Sequence, residues 1–159
     1  MANHYDIVLD RLVTVLQTNI ASLSRITDAT EIVKRRDWLS AGGVPHLGIT
    51  VHKGKRRIGD GGPFGIDDFI YPCYITHVVG TGFDDYDADE AGHEVQDLVT
   101  RLWHAQRCGV SFSATNSNTV EHSCMVQDGD LLVPREHAES FSVTSIVVHV
   151  ELRQERSAL

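Results

Sequence analysis

The chain has 159 residues, and its 22 Asp and Glu residues outnumber its 14 Lys and Arg residues, which gives a formal net charge of −8 at pH 7. This balance argues against a general nucleic-acid-binding protein, because phosphate contacts need clustered cations. With 42% hydrophobic and 23% charged residues, the composition is typical of one soluble domain over residues 1–159 and excludes disordered and collagen-like chains. No apolar run approaches the roughly 18 to 20 residues of a membrane span, so we expect no membrane association.

The cysteines and the first residues indicate the compartment. Cys73, Cys108 and Cys124 are odd in number and form no C-x-x-C pair, which argues against a disulfide framework and a zinc ribbon. Charged residues interrupt the apolar pattern of the first twenty residues, so no secretory signal is indicated. We expect the chain to fold in a reducing cytoplasm.

The first predicted element is a long amphipathic helix over Tyr5 to Ile26, with Arg25 near its end. Its apolar residues recur every three or four positions, which places them on one helical face: Leu9, Leu12, Val13, Leu16, Ile20 and Leu23. The next segment, Thr27 to Trp38, mixes apolar and charged residues, and its pattern fits either a further helical turn or a strand.

Two strands are predicted around a glycine-rich segment. Residues 47–52 alternate at the strand period of two, and Phe69 to Val79 is rich in aromatic and β-branched residues. Between them, Lys53 to Gly65 contains five glycines and a proline, which favours a long loop or hairpin tip without a regular element. Pro72 lacks an amide donor, so we expect it at a strand start or on an edge.

The second half of the chain predicts one helix and two strands. Asp87 followed by Glu90 is typical of a helix N-cap with a reciprocal partner, and the helix is expected to run to about His104. Its apolar stripe is Ala91, Val95, Leu98, Val99, Leu102 and Trp103. A polar stretch over 111–119 and a turn over 127–130 separate this helix from strands at 120–127 and 141–152. The order of elements predicts an α+β domain, in which a small, mostly antiparallel sheet packs against two helices and carries a long glycine-rich hairpin loop.

Acidic and histidine residues offer two candidate metal sites. Asp85, Asp87 and Asp89 alternate as in a calcium loop, but the Gly and the final Glu of such a loop are absent, so helix capping is favoured. His93 and Asp97 lie four apart as in a zinc helix, but a solvated helix face fits better. The nine histidines could still gather in space. The glycine patterns lack a phosphate-binding signature, so no nucleotide cofactor is indicated. No catalytic residue or metal ligand is predicted, and no cofactor.

Four cations stand together where the glycine-rich segment begins: Lys53, Lys55, Arg56 and Arg57. Three interpretations remain open at this point. The cations form a solvated loop, or they dock onto an acidic surface such as a second copy of this chain, or they contact DNA directly.

The order of elements from Tyr5 to Leu152 resembles that of bacteriophage tail terminator proteins. The segments that carry this resemblance are Tyr71–Ile75, Asp87–Ala91 and Val143–Arg153. The resemblance implies a small, non-enzymatic virion protein of the tail or neck, assembled in the host cytoplasm. It also implies a closed ring, usually a hexamer, at the head-proximal end of the tail tube. Such a ring contacts the tail tube protein and the head connector or stopper protein, ends tube polymerisation and joins tail to head.

An acidic subunit suits a ring around DNA, because an acidic lumen lets the duplex pass without sequence-specific binding. The segment Lys53 to Gly65 is too long and polar to stabilise its own subunit, so we expect it to form a subunit or connector interface. The predicted interface residues are Lys53, Lys55, Arg56, Arg57, Asp60 and Phe64. Three alternatives remain: another neck or head-completion ring protein, a cytoplasmic adaptor, and a small metal-dependent enzyme that uses His93, Asp97 and other histidines.

Overall fold

A six-stranded sheet with two α-helices on one of its faces forms the framework of the chain. The structure is a computed structural model that describes residues 4–39, 43, 45–58, 66–80, 85–103, 119–128 and 140–155. In chain order the elements are α1 (His4–Thr18), β1 (Ile32–Lys34), β2 (Gly48–Lys53), β3 (Arg57–Ile58), β4 (Ile66–Gly80), α2 (Asp85–Trp103), β5 (Thr119–Asp128) and β6 (Phe141–Glu155).

The strand order is β1-β2-β4-β6-β5, and β3 pairs with β4 beyond the end of β2. Only β1 and β2 run parallel; every other pair is antiparallel. The predicted α+β fold with a mostly antiparallel sheet and two helices is therefore confirmed.

The core lies between the two helices and one face of the sheet. Side chains alternate across a strand, and on β4 the odd-numbered Tyr71, Cys73 and Ile75 face the helices. Beside them, β6 contributes the residues predicted for one of its faces: Ile146, Val148, Val150 and Leu152. The predicted apolar stripe of α2 also enters this core, with Trp103 fully buried and Leu102 partly buried.

The first helix is shorter than predicted. Helix α1 ends at Thr18, so Arg25 lies outside it, and a 3-10 turn follows at Ile20–Ser22. At the helix end, Thr18 Oγ1 donates to the carbonyl of Thr14 and Asn19 Nδ2 donates to that of Val15.

The segment Thr27 to Trp38, whose sequence fits either a helical turn or a strand, contains a 3-10 turn followed by a strand. Asp28 and Glu31 form a capping box on a 3-10 turn, in which Asp28 Oδ1 accepts from the amide of Thr30 and Glu31 Oε2 accepts from that of Asp28. Strand β1 follows at once and pairs with β2 in the register Ile32 to Ile49.

Pro72 lies inside the central strand β4, which corrects the expectation of a strand start or an edge. Its carbonyl accepts from the amide of Gly54 at 2.9 Å, so this side of Pro72 faces the point where β2 has ended and β3 has not begun. The missing amide donor of Pro72 points to the same side, because the N–H and C=O of one strand residue point the same way. The carbonyl of Gly54, which an N–H at position 72 would have met, lies 3.0 Å from the Tyr5 hydroxyl instead.

Helix α2 begins at Asp85, so the prediction of an N-cap at Asp87 is wrong, and Asp87 lies in the first turns. The same helical backbone excludes a calcium loop beginning at Asp85. Other predictions lie outside the described residues: the glycine-rich stretch 59–65, the helix end at 104, the polar stretch 111–118 and the turn at 129–130.

Candidate interaction surface

The parallel pairing of β1 and β2 brings two basic segments of the sequence together. Parallel strands end at the same edge of a sheet, and the amide of Arg35 continues the pairing by donating to the carbonyl of Val51 at 3.1 Å. The Lys34–Arg36 run thus lies beside Lys53, the last residue of β2.

We call this surface the basic edge. It contains seven of the chain's 14 Lys and Arg residues: Lys34, Arg35, Arg36, Lys53, Lys55, Arg56 and Arg57. The sequence alone indicates a cluster of only four of them, namely Lys53, Lys55, Arg56 and Arg57. The other three stand in a visible basic run, but their position beside Lys53 depends on the parallel pairing of a three-residue strand, which no local pattern indicates.

A cleft of about 370 Å³ opens at the basic edge, between α1 and the ends of β1 and β2. Its lining residues are Asp6, Leu9, Lys34, Arg35, Arg36 and Lys53. Lys34 Nζ lies 2.6 Å from Asp10 Oδ1. Among the described residues, no carboxylate forms an ion pair with the exposed Arg35 or Arg36, so their charge is available to a partner.

The remaining cations of the basic edge rest on the protein's own sheet. The guanidinium of Arg56 lies 4.4 Å from the ring centre of Phe69, a cation–π contact. Arg57 Nη2 donates to His149 Nδ1 at 3.2 Å, and burial together with the charge of Arg57 lowers the pKa of His149. The exposed Arg57–Ile58 segment forms β3, which corrects the expectation that Lys53 to Gly65 holds no regular element.

Ile58 is the most exposed large apolar side chain of the described residues, at 79% exposure. It follows the four loop cations directly and pairs with Phe69 on β4. The predicted interface residues Asp60 and Phe64 lie outside the described residues. Four of the six predicted interface residues are thus placed together, on a segment that the sheet holds and that ends in an exposed apolar side chain.

The sheet face away from the helices carries a buried polar row. Thr50, Thr76 and Ser145 face one another across β2, β4 and β6. Thr76 Oγ1 lies 2.9 Å from His52 Nε2 and 3.4 Å from Ser145 Oγ. Burial lowers the pKa of His52 to about 4, against the opposing charge of Asp37, so His52 is neutral at pH 7.

A second histidine is buried on the helix side of β4. Burial lowers the pKa of His77 to about 4, against the charges of Glu94 and Glu31. The residue lines a cleft of about 230 Å³ together with Arg25 and Glu31. Glu94 itself accepts from the backbone amide and hydroxyl of Ser24, at 3.0 and 2.7 Å, so it holds α2 against the turn after α1.

Residues considered for metal or nucleophile chemistry are dispersed where the structure describes them. His93 and Asp97 are exposed on α2, as expected of a solvated helix face. Within the described ranges, no group of three or more His, Cys, Asp or Glu side chains is arranged to hold a metal ion. Cys73 is a free, fully buried thiol whose pKa burial raises. In the same part of the chain, neither helix has the length and apolar character needed to cross a membrane.

No family description and no curated protein sequence matches the chain.

Proposed function

We propose that this chain is a structural virion subunit that assembles into a ring at the head-proximal end of a bacteriophage tail. In this role it ends tube polymerisation and joins the tail to the head connector. Its mechanism is assembly through complementary surfaces, without covalent chemistry. The ring surrounds DNA that passes through the lumen and is not bound in a sequence-specific way.

The observation that supports this proposal is the basic edge on an acidic chain. Half of the Lys and Arg residues stand at one edge of the sheet in a subunit whose net charge is −8, so the other residues of the chain are strongly acidic in sum. Such a surface attracts an acidic partner and disfavours like-charged contacts, which selects one orientation of association. A neighbouring copy of the chain supplies an acidic partner at the required concentration.

Exposed strand edges add a second route to subunit contact. Among the described strands, β1 is three residues long and pairs only with β2, and β5 is the last strand at the opposite edge of the sheet. Such edges offer unpaired backbone groups to another chain. The exposed Ile58 provides apolar area next to the basic edge.

Sedimentation velocity over a protein concentration series, followed by negative-stain electron microscopy, tests the proposal. We expect closed rings, or a monomer that forms rings only when tail tubes are added. Association should weaken as salt rises from 50 to 500 mM, because screening shortens the reach of exposed charges. A chain that stays monomeric at every concentration, with and without tail tubes, would overturn the proposal.

A further inference from the structure

The first turns of α2 carry a charge opposite to that of the basic edge. Four of the first six residues of this helix are acidic, and no Lys or Arg occurs between Asp85 and Arg101. The described side chains of Asp89 and Glu90 are both exposed. We call this exposed pair, Asp89 and Glu90, the acidic start.

The basic edge and the acidic start lie at different levels of the sheet. Lys53 pairs with Cys73 of β4. At the acidic start, Asp89 Oδ1 accepts from Ser142 Oγ at 3.5 Å, and Ser142 pairs with Val79 of β4. At roughly 3.3 Å per strand residue, Cys73 and Val79 stand about 20 Å apart.

This separation prevents the two surfaces from neutralising each other within one subunit. A distance of about 20 Å exceeds the Debye length of about 8 Å at physiological ionic strength. The surfaces also belong to different parts of the layer that covers the sheet, since α1 packs on β1 and β2 while α2 packs chiefly on β6, with β4 and β5. The two surfaces are therefore separate charged patches of opposite sign on one subunit.

We propose that the acidic start of α2 docks into the basic edge of a second copy of this chain. The carboxylates enter the cleft beside Arg35, Arg36 and Lys53. The exposed apolar side chain of Ile58 lies outside this cleft. This inference rests on the proposed ring, and it names the two surfaces that meet in it. A contact between two different patches is heterologous, and repetition of a heterologous contact closes into a ring when the rotation between subunits allows.

Charge reversal in pairs tests the docking. The first variant, Arg35→Glu with Arg36→Glu, reverses the charge of the two exposed arginines at the cleft. The second, Asp89→Lys with Glu90→Lys, reverses the charge of the two exposed carboxylates of α2. All four side chains are exposed, and circular dichroism melting checks that each variant folds. Arg101→Glu serves as the control, because Arg101 is exposed at the far end of α2.

We expect each reversed variant alone to associate at least about tenfold more weakly than the unaltered chain, since like charges then face each other. An equimolar mixture of the two variants should recover assembly, because the glutamates of one variant's cleft then meet the lysines of the other variant's helix, and the unaltered cleft meets the unaltered helix. The control should assemble like the unaltered chain. A folding defect in either variant cannot produce recovery on mixing.

The outcomes separate this inference from the proposed function. If the unaltered chain forms rings and both reversed variants form them equally well, the docking is overturned while the ring stands. Failure of the mixture to recover assembly, with both variants folded, overturns the docking as well. If the unaltered chain does not assemble under any condition, the proposed ring fails first.

Discussion

Thr50 and Thr76 lie directly opposite each other on β2 and β4, both fully buried, but their hydroxyl groups differ in bonding. Thr76 Oγ1 bonds with His52 and Ser145. The Thr50 hydroxyl, by contrast, finds no hydrogen-bond partner. A buried polar atom without a partner costs free energy, whereas a satisfied one contributes to stability.

The two threonines therefore respond differently to replacement by valine. Thr50→Val removes an unsatisfied hydroxyl and keeps the shape, so we expect an unchanged or slightly higher free energy of unfolding. Thr76→Val leaves His52 and Ser145 without their shared partner and should lower that free energy by about 1–3 kcal/mol. Urea unfolding of both variants measures the difference, and equal effects would contradict the hydrogen-bond assignment.

Close packing of Gly92 against Thr144 holds α2 on the sheet. A Cβ at position 92 would overlap the side chain of Thr144. Gly92→Ala should therefore destabilise the fold by about 1–3 kcal/mol, even though alanine is the better helix former. Gly80→Ala is the matched control, because a Cβ there meets nothing within 4 Å. Equal urea unfolding midpoints for Gly92→Ala and Gly80→Ala would show that Gly92 is not closely packed against Thr144.

Stability should fall as the pH is lowered below about 6.5. Burial lowers the pKa of His52 and His77 from 6.5 to about 4, so between these values the unfolded chain binds protons that the folded chain does not. The stability conferred by the neutral histidines is complete above pH 6.5 and decreases down to about pH 4, by about 2 kcal/mol for each residue at pH 5. Urea unfolding at pH 7.5 and pH 5 measures this loss.

Replacement of one buried histidine supplies the control for that measurement. His77→Gln removes one of the two titrating groups, so the variant should lose less stability between pH 7.5 and pH 5 than the unaltered chain does. His93→Gln, at an exposed position of α2, should leave the pH dependence unchanged. The same pH dependence in all three proteins would show that other groups cause it.

The Tyr5 hydroxyl ties α1 to the point where β2 gives way to β3. It donates to the carbonyl of Pro72 and lies 3.0 Å from that of Gly54, while its ring packs edge-on against Tyr71 at 4.9 Å. Tyr5→Phe keeps the ring contact and removes the donor, which should lower the free energy of unfolding by about 1 kcal/mol. Tyr74→Phe, whose ring stacks on His52, should change it less. The urea unfolding midpoints of Tyr5→Phe and Tyr74→Phe measure this difference, and equal midpoints would contradict the role of the Tyr5 hydroxyl.

Local patterns predicted most of the elements. The stripe of α2 and the alternation of β6 each reflect a single element against one core, so their periods survive in the sequence. Residues 48–52 alternate as well, but both of their faces are buried. The end of α1 was misplaced because Ile20 and Leu23 continue its apolar spacing beyond Thr18, where the helix ends.

Features that depend on distant pairing could not be predicted. Pro72 fits in the central strand because the Tyr5 hydroxyl of α1 meets the Gly54 carbonyl opposite it, and the sequence around Pro72 carries no record of that contact. For the same reason, the sequence indicated only four of the seven residues of the basic edge. Lys34 to Arg36 lie beside Lys53 through the parallel pairing of β1 with β2. A three-residue strand is too short to show a period of its own.

Native mass measured over a protein concentration series, with and without chelator, tests the central claim most directly. We expect one closed assembly, with six subunits as the resemblance to tail terminator proteins implies, whose mass does not change on chelation and whose population falls as salt rises. A monomer or dimer that retains a metal ion and loses its fold on chelation would overturn the proposed ring and favour the metal-dependent alternative.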